Sequence, residues 1–311
     1  CFWMFCSDKG IFFLCLGKII RMETPVISQK DHESIAERTE EKRIEAEKLK
    51  KTVVIVGASS GIGYETALKL IGRNYNAVNI SRTPCPLARV KNYAADVTVG
   101  ASLEKAIRAA AEKEPNFSAL VYCAGFSMAA PIEYADPKDY RYLFEVNYFG
   151  ALRAIQACIP YFKKRGGRIV LISSMAGLFP VAFDSFYSSS KAALDMLAKS
   201  ADIELAPLNI RITSVQPGGT STSFTFKRKV YSEEENKDYS SRLNKATAAL
   251  ANMEQGGLNA GEVAKTVADI LAMKKPPLEV ACGKRNKVFA YAGRILPENF
   301  SLFLNKKMYK Q

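Results

Sequence analysis

Histidine is all but missing from this chain. The only one, His32, falls in a highly charged N-terminal stretch, so the folded body has no residue for a Ser-His-Asp hydrolase site or a histidine-ligated zinc. Cysteine pairing is missing too. The seven cysteines, Cys1, Cys6, Cys15, Cys85, Cys123, Cys158 and Cys282, form no Cys-x-x-Cys motif and are odd in number. That argues against a disulfide framework or metal ribbon, so no metal is expected, and a reducing cytosolic compartment fits best. Cys123 and Cys158, in apolar runs, read as small buried hydrophobes. Long hydrophobic runs are the third absence. Residues 1–21 are apolar but broken by Asp8, Lys9 and Lys18, and the longest uninterrupted part, 10–17, is far below the roughly 20 residues of a spanning helix. A signal peptide also fits poorly, because no basic region precedes that run. The chain starts with cysteine while Met22 leads into a polar segment. Residues 1–21 are therefore expected to be over-extended translation, with a peripheral membrane anchor as the alternative. The charged stretch 28–51 reads as an exposed helix or solvated arm.

What remains is ordinary globular material. With 311 residues, 48% hydrophobic and 24% charged, the chain suits one large α/β domain with appendages. The expected division is an extension over 1–50, a domain over 51–285 and an amphipathic extension over 286–311. A net charge of +13 points to anionic partners. No recognition helix, zinc finger or basic-aromatic repeat accompanies it, so nucleic acid is not expected. A phosphorylated cofactor and peripheral contact with an anionic membrane are sufficient explanations, and much of the charge is solvated surface.

From Thr52 onward, strand and helix patterns alternate. Strands are expected near 52–56, 76–81, 91–95, 118–123, 168–173, 210–216 and 278–281. Helices are expected over 101–113, 137–164 and 185–205. Such alternation implies a Rossmann-like, doubly wound parallel sheet of about seven strands, in order 3-2-1-4-5-6-7. The stretch 221–257 is expected to be a mobile lid at the sheet's C-terminal edge.

Two motifs carry chemistry. In Thr52-Val-Val-Ile-Val-Gly57-Ala-Ser59-Ser60-Gly61-Ile62-Gly63 an apolar β-branched strand runs into glycines and then a helical pattern, the context a dinucleotide site requires. Glycines let backbone approach a pyrophosphate, and a helix N-terminus offers unpaired N–H groups with partial positive charge. Far downstream, Tyr187 and Lys191 stand four residues apart, with Ser174 thirteen before the tyrosine. On a helix that spacing puts the ammonium and phenol on one face. Tyrosine, with a pKa of about 10, is expected to be lowered by the cation by roughly 1–3 units.

In these residues the chain resembles the short-chain dehydrogenase/reductase family, over about 51–285, and in particular members acting on steroids and retinol with NADP. Gly57, Gly61 and Gly63 match its turn, Asn147 in Val-Asn-Tyr-Phe-Gly its asparagine, and Ser174, Tyr187 and Lys191 its remaining set. Val56 stands where the family usually has threonine, and Tyr122-Cys123-Ala124-Gly125 replaces its Asn-Asn-Ala-Gly segment, removing an asparagine that braces the central strands in relatives. The resemblance implies that Asp96 and Val97 meet the adenine, that Ala124 and Gly125 pass beneath the cofactor, and that Pro217, Gly218 and Thr222 lie near the nicotinamide amide, with Thr220 a rival to Thr222. It also implies that Asn147 positions a water linking Lys191 to solvent; a helix-kink asparagine is the plainer reading.

The end of the second strand reads Ile80-Ser81-Arg82-Thr83, with no carboxylate to hold a ribose or repel a 2′-phosphate. Arg82, with Ser59, Ser60 and Ser81, suits NADP(H). The expected reaction is reversible hydride transfer to a carbonyl or from a secondary alcohol. Ser174 and Tyr187 hold the oxygen, Tyr187 moves the proton, and Lys191 tunes Tyr187 and holds the ribose hydroxyls. Alternatives are an NAD-dependent alcohol dehydrogenase or a non-catalytic NADPH sensor. Leu178, Phe179, Val181, Phe183, Phe186, Phe126, Met128, Phe224 and Phe226 suggest a lipophilic substrate such as a steroid, retinoid or long-chain keto lipid, unless they pack the core or a dimer interface. A homo-oligomer is expected. The stretch 288–309, mixing aromatic, aliphatic and basic residues, suits a membrane interface, a cover for the pocket or a subunit contact.

Overall fold

The computed structural model describes residues 3–7, 10–15, 18–22, 50–114, 116–222, 224–232, 234 and 237–295, and divides into two units, Cys1–Leu49 and Lys50–Gln311. In the first, strands Trp3–Ser7, Gly10–Cys15 and Lys18–Met22 pair antiparallel in chain order. The apolar stretch thus satisfies its backbone groups between strands, as its aromatic and β-branched content favours. The charged helix expected at 28–51 lies, up to residue 49, outside the described residues.

In the second unit β1 (Thr52–Val56) leads into α1 (Gly61–Gly72), β2 (Asn76–Ser81), β3 (Val90–Ala94), α2 (Gly100–Lys113) and β4 (Phe117–Tyr122). There follow α3 (Pro137–Phe144), α4 (Gly150–Phe162), β5 (Gly167–Ile172), α5 (Ser185–Leu205) and β6 (Ile210–Gln216). The last elements are α6 (Ser240–Gln255), α7 (Ala260–Ala272), β7 (Glu279–Ala281) and α8 (Lys284–Ile295). The strands form one parallel sheet in the order β3-β2-β1-β4-β5-β6-β7, as expected.

The residues of β1 show why the sheet is covered twice. Every one is buried, and successive side chains point to opposite faces. Val54 and Val56 join a core with Leu103, Ile107, Ile155 and Leu194, beneath α2, α4 and α5. Val53 and Ile55 join a second core with Leu70, Val263 and Val267, beneath α1 and α7. An apolar strand without polar alternation is what a doubly covered parallel sheet demands.

Two expectations change. The single helix expected over 137–164 is split by a π-helical turn at Glu145–Phe149, which carries Asn147. The stretch 221–257 is more than a loop. Lys229–Val230 pairs with Met128–Ala129, Thr220–Ser221 pairs with Leu258–Asn259, and α6 fills Ser240–Gln255. A small third core of Met128, Leu143, Tyr231 and Leu243 backs this segment.

Candidate active site

A parallel sheet brings the C-terminal ends of its strands to one edge. The loops after β1, β2, β4, β5 and β6 there line a single cavity of 1360 Å³. The whole glycine turn, Ser81 and Arg82, Asp96 and Val97, Ala124 and Gly125, Ser174, Tyr187, Lys191, Pro217, Gly218, Thr220 and Thr222 all border it. Asn147 does not. It is fully buried in the π-turn, behind Gly125.

The turn after β1 is shaped as a cradle. A Cβ on Gly63 would overlap the Gly57 carbonyl, so the start of α1 packs directly on the loop. Ser60, extended, caps α1 without a side-chain bond to the helix. Asn79, buried in β2, accepts from the Ala58 N–H at 2.9 Å and donates to Asn92 Oδ1 at 2.9 Å. It is a polar residue at an inward position of an apolar strand, a signal the motif reading passed over. Unpaired N–H groups at a helix start suit a dinucleotide phosphate. Lys227 Nζ reaches over this turn to Ser60 Oγ, 3.4 Å away.

At the end of β2, Arg82 is largely exposed, 3.5 Å from the Tyr142 hydroxyl and 3.9 Å from an Asp96 oxygen. The Thr98 N–H and hydroxyl hold the Asp96 carboxyl below its ordinary value. Thr222 lies against Gly61, whereas the Thr220 hydroxyl donates to Gly218 O at 2.9 Å.

Helix α5 carries Tyr187 and Lys191 on one face, and Ser174, two residues past β5, caps the start of a 3-10 turn at Met175–Gly177. Ser174 borders the cavity beside the Tyr187 phenol, and its Oγ accepts from Ala176 N at 3.1 Å. Ser173, its neighbour, donates to Lys191 O instead. Lys191 Nζ donates to Ile172 O at 2.8 Å and stands 5.6 Å from the centre of the Tyr187 ring.

The phenol is not lowered as the spacing suggested. Burial pushes it upward, the Asp184 and Glu254 carboxylates add to this, and Ser174 and Arg228 oppose it. Burial lowers Lys191 to about 8, against the pull of Asp195. Asp195, one further helical turn along the same face, accepts from Ser214 and from Gln216 Nε2. The repeat Tyr187, Lys191, Asp195 was visible as an i, i+4, i+8 stripe.

Asn147 braces the floor of the site. Its Oδ1 accepts from Phe126 N and its Nδ2 donates to Phe126 O and Ser190 Oγ, each at 3.0 Å. Tyr122 supplies a brace of its own from the segment that departs from the family. Its buried hydroxyl donates to Val146 O in the π-turn, and a Cβ on Gly150 would collide with it.

The aromatic candidates divide. Phe126, Phe179, Val181 and Phe224 line the cavity, and Phe224 lies 5.8 Å from the Tyr187 ring. Met128 is fully buried, and Phe183 and Phe186 pack with it in the third core, where Phe186 stacks on Tyr140. Leu178 is not part of the lining, and the Phe226 side chain lies outside the described residues. Sequence reasoning missed a buried charged group on the cavity wall. Arg228 pairs with Glu254, both nearly inaccessible, while Arg228 Nε donates to Ser127 Oγ and Ser127 donates to Asp184. Burial raises the Asp184 carboxyl to about 7. No local spacing reveals residues brought together across the fold.

A family model for short chain dehydrogenases matches residues 51–232. The chain is 28% identical over 261 residues to 3-ketodihydrosphingosine reductase of Bacteroides thetaiotaomicron, covering 83% of this chain and 97% of that one. It is 33% identical over 187 residues to human retinol dehydrogenase 8, covering 56% of this chain and 60% of that one. A solved short-chain dehydrogenase from Streptomyces avermitilis superposes with a TM-score of 0.71 at 26% identity, covering 84% and 96% of the two chains.

Proposed function

Because this chain belongs to the short-chain dehydrogenase family of oxidoreductases, we propose that it reduces a lipophilic ketone with NADPH, the proton coming from Tyr187. The observation that carries this is that Ser174, Tyr187 and Lys191 border the same cavity as the glycine cradle. The cradle fits a dinucleotide because Gly63, without a Cβ, lets the start of α1 pack directly on the loop, which brings the N–H groups of the helix start to the cavity. When bound, the nicotinamide supplies the hydride. Ser174 and Tyr187 donate hydrogen bonds to the carbonyl oxygen, and Tyr187 passes its proton to that oxygen as it becomes an alkoxide. A phenol raised by burial stays protonated at neutral pH, which suits the direction of reduction. The Lys191 ammonium offsets the phenolate left behind. Reduction is therefore expected to slow as pH rises through about 8, where Lys191 loses its charge, and Lys191→Met should flatten that limb of the pH–rate profile.

NADPH is preferred on this reading because the end of β2 offers Arg82 and no acid. A charge-assisted hydrogen bond is worth about 1.5–3 kcal/mol. Arg82→Ala should accordingly lower the ratio of kcat/KM for NADPH over NADH by roughly tenfold to a hundredfold. Equal efficiency of the unaltered enzyme with both cofactors would overturn the assignment. Phe126, Phe179, Val181 and Phe224 favour a lipophilic substrate. The 3-ketodihydrosphingosine in the name of the bacterial relative is the first substrate to assay by NADPH consumption.

A further inference from the structure

Helix α8 has two working faces. On the inner side Phe289, Ala292 and Gly293 line the cavity, and the Phe179 ring lies against Gly293. On the outer side Val288, Tyr291 and Ile295 are 70%, 68% and 62% exposed. Steps of three and four residues put these three on one stripe. Phe289, 49% exposed yet part of the cavity wall, joins the two faces at the rim. Lys284, Lys287 and Arg294 flank the stripe, and the helix, Lys-Arg-Asn-Lys-Val-Phe-Ala-Tyr-Ala-Gly-Arg-Ile, contains no acid. Glu279, the acid that pairs with Arg294, is shared with Lys199. Residues 296–311 continue the same composition, with Phe300, Leu302, Phe303, Lys306, Lys307 and Lys310 against the single acid Glu298.

An apolar stripe bordered by cations is complementary to an anionic lipid surface, where such a helix lies in the headgroup boundary without crossing. No described helix is long and apolar enough to cross a membrane. We propose that the outer face of α8 docks on an anionic bilayer, so that a lipophilic ketone leaves the acyl boundary at Phe289 and enters the cavity past the inner face. This rests on the lipophilic-substrate reading above. A helix is about 10–12 Å across and an interfacial one sits about 5–10 Å deep, so the rim is within reach of the acyl chains.

Flotation of the full chain tests it, with vesicles of phosphatidylcholine alone or mixed with phosphatidylserine. The protein should float with the mixed vesicles and at least about tenfold less with phosphatidylcholine. Val288→Ser/Tyr291→Ser/Ile295→Ser should lose most of this partition while NADPH binding and the circular dichroism spectrum stay unchanged. Flotation unaffected by the triple variant, or equal with both vesicles, overturns the proposal. So does a dimer in light scattering that the triple variant dissociates, since the stripe would then belong to a second copy. Loss of flotation only on deleting 296–311, with the stripe variant still binding, also overturns it. Flotation is read without turnover, so absence of ketone reduction would defeat the proposed function and leave this result standing.

Discussion

Tyr187→Phe is expected to lower turnover by about 10²–10⁴-fold, the usual worth of a positioned acid, while leaving NADPH binding nearly intact. The substitution removes one oxygen and keeps the ring that packs 5.8 Å from Phe224. The cavity therefore keeps its shape and loses only its proton donor. Single-turnover reduction with cofactor affinity measured alongside checks this, and retained activity would sink the mechanism. Ser174→Ala should act in the same direction, because its hydroxyl borders the same cavity as the Tyr187 phenol.

Arg228→Met should destabilise the fold by about 3–5 kcal/mol, the typical cost of leaving a buried charge without its partner. The guanidinium is almost inaccessible and sits between Glu254 and, through Ser127, Asp184. Urea midpoints would measure the loss, and Arg228→Met/Glu254→Gln should recover much of it. The pH dependence has a definite sign. Folding raises Asp184 to about 7 from roughly 3.9 in the unfolded chain, so the folded state binds the proton more tightly. Its stabilising contribution is complete below about pH 4 and is lost as pH rises through about 7. Arg228 holds Asp184 down. The part of the penalty that acts through Asp184 should be small near pH 5 and grow toward pH 8.

The alternation from Thr52 to Ala281 was enough for a parallel sheet, whose order follows the doubly wound topology, because the inner strands, buried on both faces, have a composition that no loop or surface helix shares. The grouping of Tyr187 and Lys191 was also legible, since they share a helix and their separation is a local property. Asn147 was found as a motif, but its surroundings were not. The π-turn that holds it, and the Tyr122 hydroxyl received by Val146 O, depend on a strand and a helix more than twenty residues apart. The direction in which Tyr187 shifts was misjudged for the same reason. A neighbouring lysine is visible along the chain, whereas burial and the Asp184 carboxylate act through space.

Three of the nine apolar candidates turned out to be packing. Phe183, Phe186 and Met128 sit in the third core, and nothing in an apolar residue's immediate neighbours distinguishes a pocket wall from a core. The spacing of glycines, Ser174, Tyr187 and Lys191, and the missing acid after Ile80, came from the chain alone because they rest on backbone geometry and on contacts within a turn or one helix. Which loops converge on one cavity, which charges are buried together and which face of α8 stays bare came only from the tertiary structure. Desolvation and long-range pairing exist only once distant segments meet.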